Sequence, residues 1–315
     1  MTPIRAQWFE DVLFVPGHAC LYERDGRRID ATMHLREGRP LRRVTPRIEP
    51  PRDPAVIEEP VVYGGHLPKH FGHFLLESLS RLWAYPCLDL GPLPFVHSRT
   101  VFHLHERELL EAALVPHGAS LHALTEPTRL SSVLVPELGV ILGEDYHPEM
   151  RAVYDTIRDT LIGPVGAADE TPVYLSRTRL PTALRATRNE PALEERLAAR
   201  GFRIVHPQEL PIEEQIRTVA RARTVVGLEG TALHLTLFRS LLPARTISLG
   251  TRLPQPHQVR IDLLRGADHR HVHAELPLHP RFPGLFGGRE LRIGRYRSFL
   301  VPRWAEGAVL REVDR

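Results

Sequence analysis

From Val173 to His273 short strand-like runs alternate with helix-length patterns, and this alternation constrains the fold more than any other feature of the chain. The runs VYLS (173–176), FRIV (202–205), TVVG (224–227), RTISL (245–249) and HRHVH (269–273) are separated by helical patterns over 190–200, 211–222, 231–241 and 256–265. Strands joined by helices of that length build βαβ units and a parallel sheet. The first half is less regular. VLFVPG, ACLYERDGRR and ATMHLREGRP read as strands with Asp-Gly and Glu-Gly turns, VVYGG (61–65) as a buried strand, and RRVTPRIEPPRDPAVIEEP as an exposed Pro-rich loop. A helix is expected over 71–85, with Phe71, Phe74, Leu75, Leu79 and Leu82 on one face. An αβ pattern continues through PFVH (94–97), a helix near 105–115, strands near 121–124 and 132–136, and a helix led by His147 and Pro148.

The stretch GPVGAADETP, beginning at 163, is small and polar and reads as a linker. At roughly 150 residues per domain, 315 residues suggest two α/β domains, 1–165 and 166–315. Ligands of such sheets bind at the carboxyl ends of the strands, and a cleft between domains is the default site. No run approaches a membrane span of about 20 apolar residues, and the first residues lack the basic-then-apolar pattern of a signal peptide. Cys20 and Cys87 are too few for a disulfide framework and read as core positions. The expected setting is therefore intracellular. A net charge of +3 and 7% aromatic residues do not point to nucleic acid. Among 41 cationic side chains Lys69 is the only lysine; the rest are arginine, whose planar fork matches phosphate oxygens where several converge.

Three segments could carry chemistry. In GGHLPKHFGHFLLESLSRLW (64–83), His73, Glu77 and Arg81 stand at i, i+4 and i+8, on the side roughly opposite the apolar face. A His one turn from a carboxylate suits a general base, with His66 and His70 crowding the helix entrance; a solvated helix face with an ordinary ion pair has the same spacing. In YLSRTRLPTALRATRNEPALEERL (174–197), Arg177 and Arg179 follow a strand, and Arg185 and Arg188 precede a helix that Asn189 could cap and Glu190 would begin. Converging, they would hold an anion; otherwise they coat a loop. In VVGLEGTALHLTLF (225–238), a buried strand turns through Gly227 and Gly230 into an apolar helix. The amides at Gly230, Thr231 and Ala232 can receive an anion, yet the spacing matches no dinucleotide or Walker fingerprint. Glu229 would repel a diphosphate there, and suits instead a ribose or sugar hydroxyl or an arginine. His66, His70 and His73 with Glu77, and the alternating His269, His271 and His273, are the two conceivable metal clusters; neither has a strong zinc spacing.

These segments, in order, resemble glycosyltransferase family 61. The carriers are HFGHFLLESLSRLW (70–83), the strand ending in Ser176-Arg177, the Arg-Asn-Glu step at 188–190, the Gly-Phe strand at 201–202, the Pro-Gln-Glu-Leu to Glu-Glu-Gln stretch at 207–215, and the Gly-rich turn at 230. The resemblance spans 66–238. It implies two Rossmann-like domains facing a cleft (a GT-B-like fold) and an inverting, metal-independent transfer from a nucleoside-diphosphate sugar to a hydroxyl of a saccharide or lipid-linked acceptor, in polysaccharide biosynthesis of a bacterial type. The N-terminal domain would serve the acceptor and the C-terminal domain the donor. By position, His73 and Glu77 would be the catalytic pair, and Arg177, Arg185, Arg188, Asn189, Glu229, Gly230 and Thr231 would bind the donor. No metal, nucleic acid or integral membrane segment is expected. The setting would be cytoplasmic, with a peripheral association at the inner membrane face if the acceptor is lipid-linked, and homo-oligomerisation is left open. Glu229 stands where the family usually has His, which leaves a second reading: a nucleotide-sugar-binding subunit of a polysaccharide assembly system with altered catalysis. A third, a metal-dependent hydrolase built on the His clusters, also stays open.

Overall fold

The computed structural model describes residues 3–40, 44–144, 146–181, 187, 189–240, 243–250, 253–274, 301–302 and 304–314, and the backbone alone of the two-residue strands at 276–277, 292–293, 296–297 and 299–300. The chain is α/β and parts into two compact units, Met1–Gly163 and Pro164–Arg315.

The first unit is built on a mixed sheet. Its strands are β1 (Ala6–Phe14), β2 (Leu21–Tyr22), β5 (Ala55–Ile57), β6 (Val61–Gly65), β7 (Phe95–His97), β8 (Leu121–Ala123) and β9 (Thr128–Pro136); β3 (Leu35–Arg36) and β4 (Arg39–Pro40) form a separate hairpin. The order is β2-β1-β9-β6-β7-β8, with β5 added to β9. β1 lies antiparallel to β9 along its whole length, Ala6 opposite Pro136 and Phe14 opposite Thr128, whereas β6, β7 and β8 run parallel. Val12, Phe14, Val61, Tyr63, Val96, Val133 and Val135 fill the core beneath. Helices α1 (Phe71–His73), α2 (Ala84–Cys87), α3 (Leu104–Leu114) and α4 (Met150–Ile162) complete the unit. In α4, Met150, Val153, Tyr154 and Ile157 make the buried stripe, at helical spacing.

Four expectations need correction here. The Pro-rich loop contains a strand: once past Pro54, Ala55–Ile57 pairs in parallel with β9. The helix expected over 71–85 is three pieces, a single α turn, a π-helical turn over Phe74–Ser78, and α2 after irregular turns. All five residues of the π turn are buried, so no solvated face exists there. Cys87 is exposed rather than part of the core. The helix expected to open at Pro148 begins two residues later, at Met150, whose N–H bonds the His147 carbonyl.

The main sheet of the second unit has five strands, β10 (Val173–Leu175), β11 (Arg203–Val205), β12 (Thr224–Leu228), β13 (Arg245–Gly250) and β14 (Asp268–His273), all parallel, in the order β11-β10-β12-β13-β14. The connections are α5 (Glu190–Ala198), α6 (Ile212–Arg221), a 3₁₀ helix at Thr231–Phe238 where an α-helix is expected, and α7 (Pro256–Arg265). Leu233–Phe238 is buried throughout, His234 and Thr236 included, in keeping with its mostly apolar sequence. A last helix, α8 (Trp304–Val313), sets Ala305 and Val309 into the core formed by Tyr174, Leu193, Leu197 and Phe202. The direction of winding reverses between β10 and β12. In sheets of this order ligands sit outside the carboxyl ends of the two strands at that reversal.

Candidate active site

In the first unit the chain leaves β6 through Gly64 and Gly65. A Cβ at Gly64 would run into the Phe95 ring, and Gly65 has φ +75°. The following loop is pinned at Pro68, whose carbonyl accepts Ser78 Oγ at 3.3 Å and Arg99 Nη1 at 3.2 Å. Arg99 in turn pairs with buried Glu106. The loop delivers His70 and His73, whose rings meet edge to face at 5.3 Å.

His73 Nδ1 lies 2.8 Å from Glu77 Oε2. The π turn carries the Glu77 side chain inward, where it has no exposed surface, whereas His73 keeps 38% of its side chain in solvent. Arg36 of β3 grips both carboxylate oxygens side-on, Nε to Oε1 at 2.9 Å and Nη2 to Oε2 at 2.7 Å. Buried His34 stands with Nε2 3.7 Å from Oε1. Burial acts to raise the Glu77 pKa, but His34, His73 and Arg36 outweigh it and hold the carboxyl well below the usual range. Burial also lowers the pKa of His34 and of His70. Arg81 does not join this group. Its guanidinium donates to the carbonyls of Pro136, Thr32 and Met33 and lies 5.6 Å from the centre of the Tyr63 ring. Burial pushes its pKa down to about 10.

In the second unit Arg177 follows β10 and Gly230 follows β12, the two strands at the winding reversal. Arg177 Nη1 donates to the Glu229 carbonyl at 3.0 Å. Gly230 has φ +143°, and a Cβ there would stand 3.1 Å from the same Nη1. The Arg177 backbone is fixed from below: its N–H donates to buried Glu190 at 2.8 Å, and Tyr174 Oη donates to the same carboxyl oxygen at 3.1 Å. Burial raises the Glu190 pKa against the pull of Arg177. Thr231 begins the 3₁₀ helix directly after Gly230. Of the four arginines, Arg177 and Arg179 are described and take different partners. Arg179 pairs with Glu209 on the surface, and Arg185 and Arg188 lie outside the described residues. Asn189 precedes α5 without capping it; its side chain donates to the Val301 carbonyl (2.6 Å) and accepts the Val301 N–H (2.8 Å).

Glu229 is engaged inside the protein. Oε1 accepts the Gln255 N–H at the start of α7 at 2.7 Å and lies 3.5 Å from His271 Nδ1. Its carboxyl fills the space a Cβ would occupy at Gly250. His271 Nδ1 stands 3.0 Å from Ser248 Oγ, and Ser248 Oγ 3.3 Å from His269 Nε2. His269 Nδ1 pairs with buried Asp262 at 2.7 Å. His269 and His271 of β14 thus form a polar seam with Ser248 and Asp262. Among the described residues no three His, Cys, Asp or Glu side chains converge as a metal-binding group.

A family model described as Glycosyltransferase 61 matches residues 71–248, more than half of the chain. The chain belongs to glycosyltransferase family 61. It is therefore a glycosyltransferase, which moves a sugar from a donor to an acceptor. No curated protein matches it. The matched segment of this glycosyltransferase holds His73, Glu77, Arg177, Glu229 and Gly230; His34 and Arg36 lie before it. Those two are the residues that reading the sequence misses, although His34-Leu35-Arg36 alternates and so places both on one face of an extended segment. Among the described residues of the glycosyltransferase no helix is long and apolar enough to cross a membrane.

Proposed function

We propose that this glycosyltransferase takes its sugar from a nucleoside diphosphate and inverts the anomeric configuration in one displacement, with a saccharide or lipid-linked hydroxyl as acceptor. The observation that carries the proposal is the pairing of half-exposed His73 with fully buried Glu77. Glu77 is poorly suited to take a proton, because Arg36 and its other partners stabilise the carboxylate. With Nδ1–H donating to Glu77, the His73 ring has Nε2 as its basic atom. His73 Nε2 accepts the acceptor's hydroxyl proton while the acceptor oxygen bonds to the anomeric carbon. The bond from that carbon to the diphosphate oxygen breaks, and its electron pair leaves with the diphosphate. Arg177 and the amides after Gly230 offset the charge that develops there, electrostatic stabilisation that needs no divalent cation. Their position at the β10/β12 reversal supports this assignment. The internal engagement of Glu229 answers the concern that its charge would oppose a diphosphate.

The division of labour is then GT-B-like, with the donor on the second unit and the base on the first. Polysaccharide synthesis in the cytoplasm, at the inner membrane face when the acceptor is lipid-linked, is the setting we assign. Thermal-shift screening against UDP-, GDP-, CMP- and dTDP-sugars, with and without Mg²⁺, identifies the donor, since a bound ligand raises the melting temperature. With that donor, His73→Ala lowers kcat by about 10²–10⁴ and Arg177→Ala by about 10²–10³, with both variants folded. Full transfer by His73→Ala places the base elsewhere; full transfer by Arg177→Ala removes the diphosphate assignment.

A further inference from the structure

The hairpin β3–β4 lies outside the family-matched segment, yet it reaches the centre of the first unit's site. Resting on the reading of His73 as base, we propose that Arg36 is a positioning residue that keeps the His73 ring uncharged and correctly oriented by offsetting the charge of Glu77. A bare carboxylate 2.8 Å from Nδ1 would orient the ring but also favour its protonated form, which cannot accept a proton. Arg36 takes up both carboxylate oxygens, and its Nη2 stands 3.4 Å from His73 Nδ1, where a cation opposes protonation of the ring. Orientation is thereby separated from protonation. The titratable and charged groups around this centre include Glu77 on the same helical segment, His70 in the preceding loop, His34 and Arg36 from the hairpin and its approach, and, beyond His34, Arg81 and His66.

The hairpin is built to hold this position. Glu37 (φ +51°) and Gly38 (φ +69°) make a tight two-residue turn directly after Arg36. The Glu37 N–H bonds the Leu142 carbonyl at 2.7 Å, and a Cβ at Gly143 would press on the Glu37 side chain at 3.0 Å. At the other end, buried Arg81 donates to the Thr32 and Met33 carbonyls at 3.1 Å each. Arg36 is thus clamped from both sides by groups that make no contact with Glu77.

The test needs no substrate. Diethyl pyrocarbonate acylates only the uncharged imidazole, so peptide mass spectrometry follows the His73 peptide from pH 5 to 8.5, with His73→Ala identifying the signal. In Arg36→Gln the pH of half-reaction rises by about one unit. In Glu77→Gln it falls, because the guanidinium is left unopposed. Arg36→Lys, which keeps the charge, stays close to the parent. In the transfer assay Arg36→Gln is down about tenfold at pH 6, the counterpart of one pH unit, and recovers towards the parent above pH 8. A half-reaction pH that is unchanged or lower in Arg36→Gln overturns the proposal. So does one that rises or stays put in Glu77→Gln, which keeps the test decisive if Arg36→Gln fails to fold. A merely structural Arg36 would lower the rate equally at every pH. If His73→Ala retains full transfer, the base assignment fails, whereas the acylation shifts still report whether Arg36 offsets Glu77.

Discussion

Arg81 shows how far a charged residue can be removed from water with backbone carbonyls as its hydrogen-bond partners. The side chain is 1% exposed, and three backbone carbonyls take the place of solvent. Those carbonyls come from β9 and from the approach to the β3–β4 hairpin, so one guanidinium ties three distant parts of the unit together. Arg81→Met would leave them without donors, at a cost of about 3 kcal/mol, read as a lower midpoint in urea unfolding. Arg81→Lys would not recover the loss, because a single ammonium cannot reproduce the fork. At i+8 from His73 the sequence places Arg81 beside the His73–Glu77 pair. Helical spacing gives the direction of a side chain and not its partner, and the π turn between them changes even the direction.

At the level of elements, what was legible depended on whether partners lie close in sequence. β10, β12 and β13 are buried parallel strands and read as largely apolar runs, β11 and the polar β14 flank them at the sheet edges, and each connection supplies its own periodicity. β1 and β9 are joined by pairings such as Ala6 with Pro136, which no local pattern encodes, and Arg36 meets Glu77 from 41 positions away. Asn189 is a related case. Just before α5 it has the character of a cap or a ligand, but both ends of its amide are bonded to Val301, ahead of α8. Asn189→Ala should therefore lower stability by about 2 kcal/mol, seen in calorimetry, and leave donor affinity unchanged. A drop in affinity with no change in melting would return Asn189 to the binding site.

On the scale of the whole molecule, the buried titratable groups predict sensitivity to acid. Burial holds the His97 pKa down at about 4 and lowers that of His34, so both stay neutral in the fold and take up a proton on unfolding below about pH 6.5. For imidazoles with depressed values the unfolded chain binds more protons in that window, and stability falls as pH falls. His97 alone can remove on the order of 3 kcal/mol by pH 4. Glu77 acts in the same direction: its contribution is present above the ordinary glutamate range and lost below it. Calorimetry between pH 7.5 and 4.5 should show a steadily falling melting temperature, with a shallower slope in His97→Gln. A melting temperature flat across that range would contradict the burial of these rings.

The π turn at Phe74–Ser78 has a consequence for sequence change of another kind. A wide turn is one residue more than an α-helix needs. Because that extra residue is already absorbed by the turn, inserting one more would swing everything downstream by about 100° about the axis. Trp83, whose indole N–H bonds the Glu137 carbonyl, and Arg81 would both be turned from their partners at once. Substitutions along 74–78 are felt one at a time, but a second added residue finds no wide turn left to absorb it, and relatives that share the His73–Glu77 pair should be no longer between His73 and Arg81.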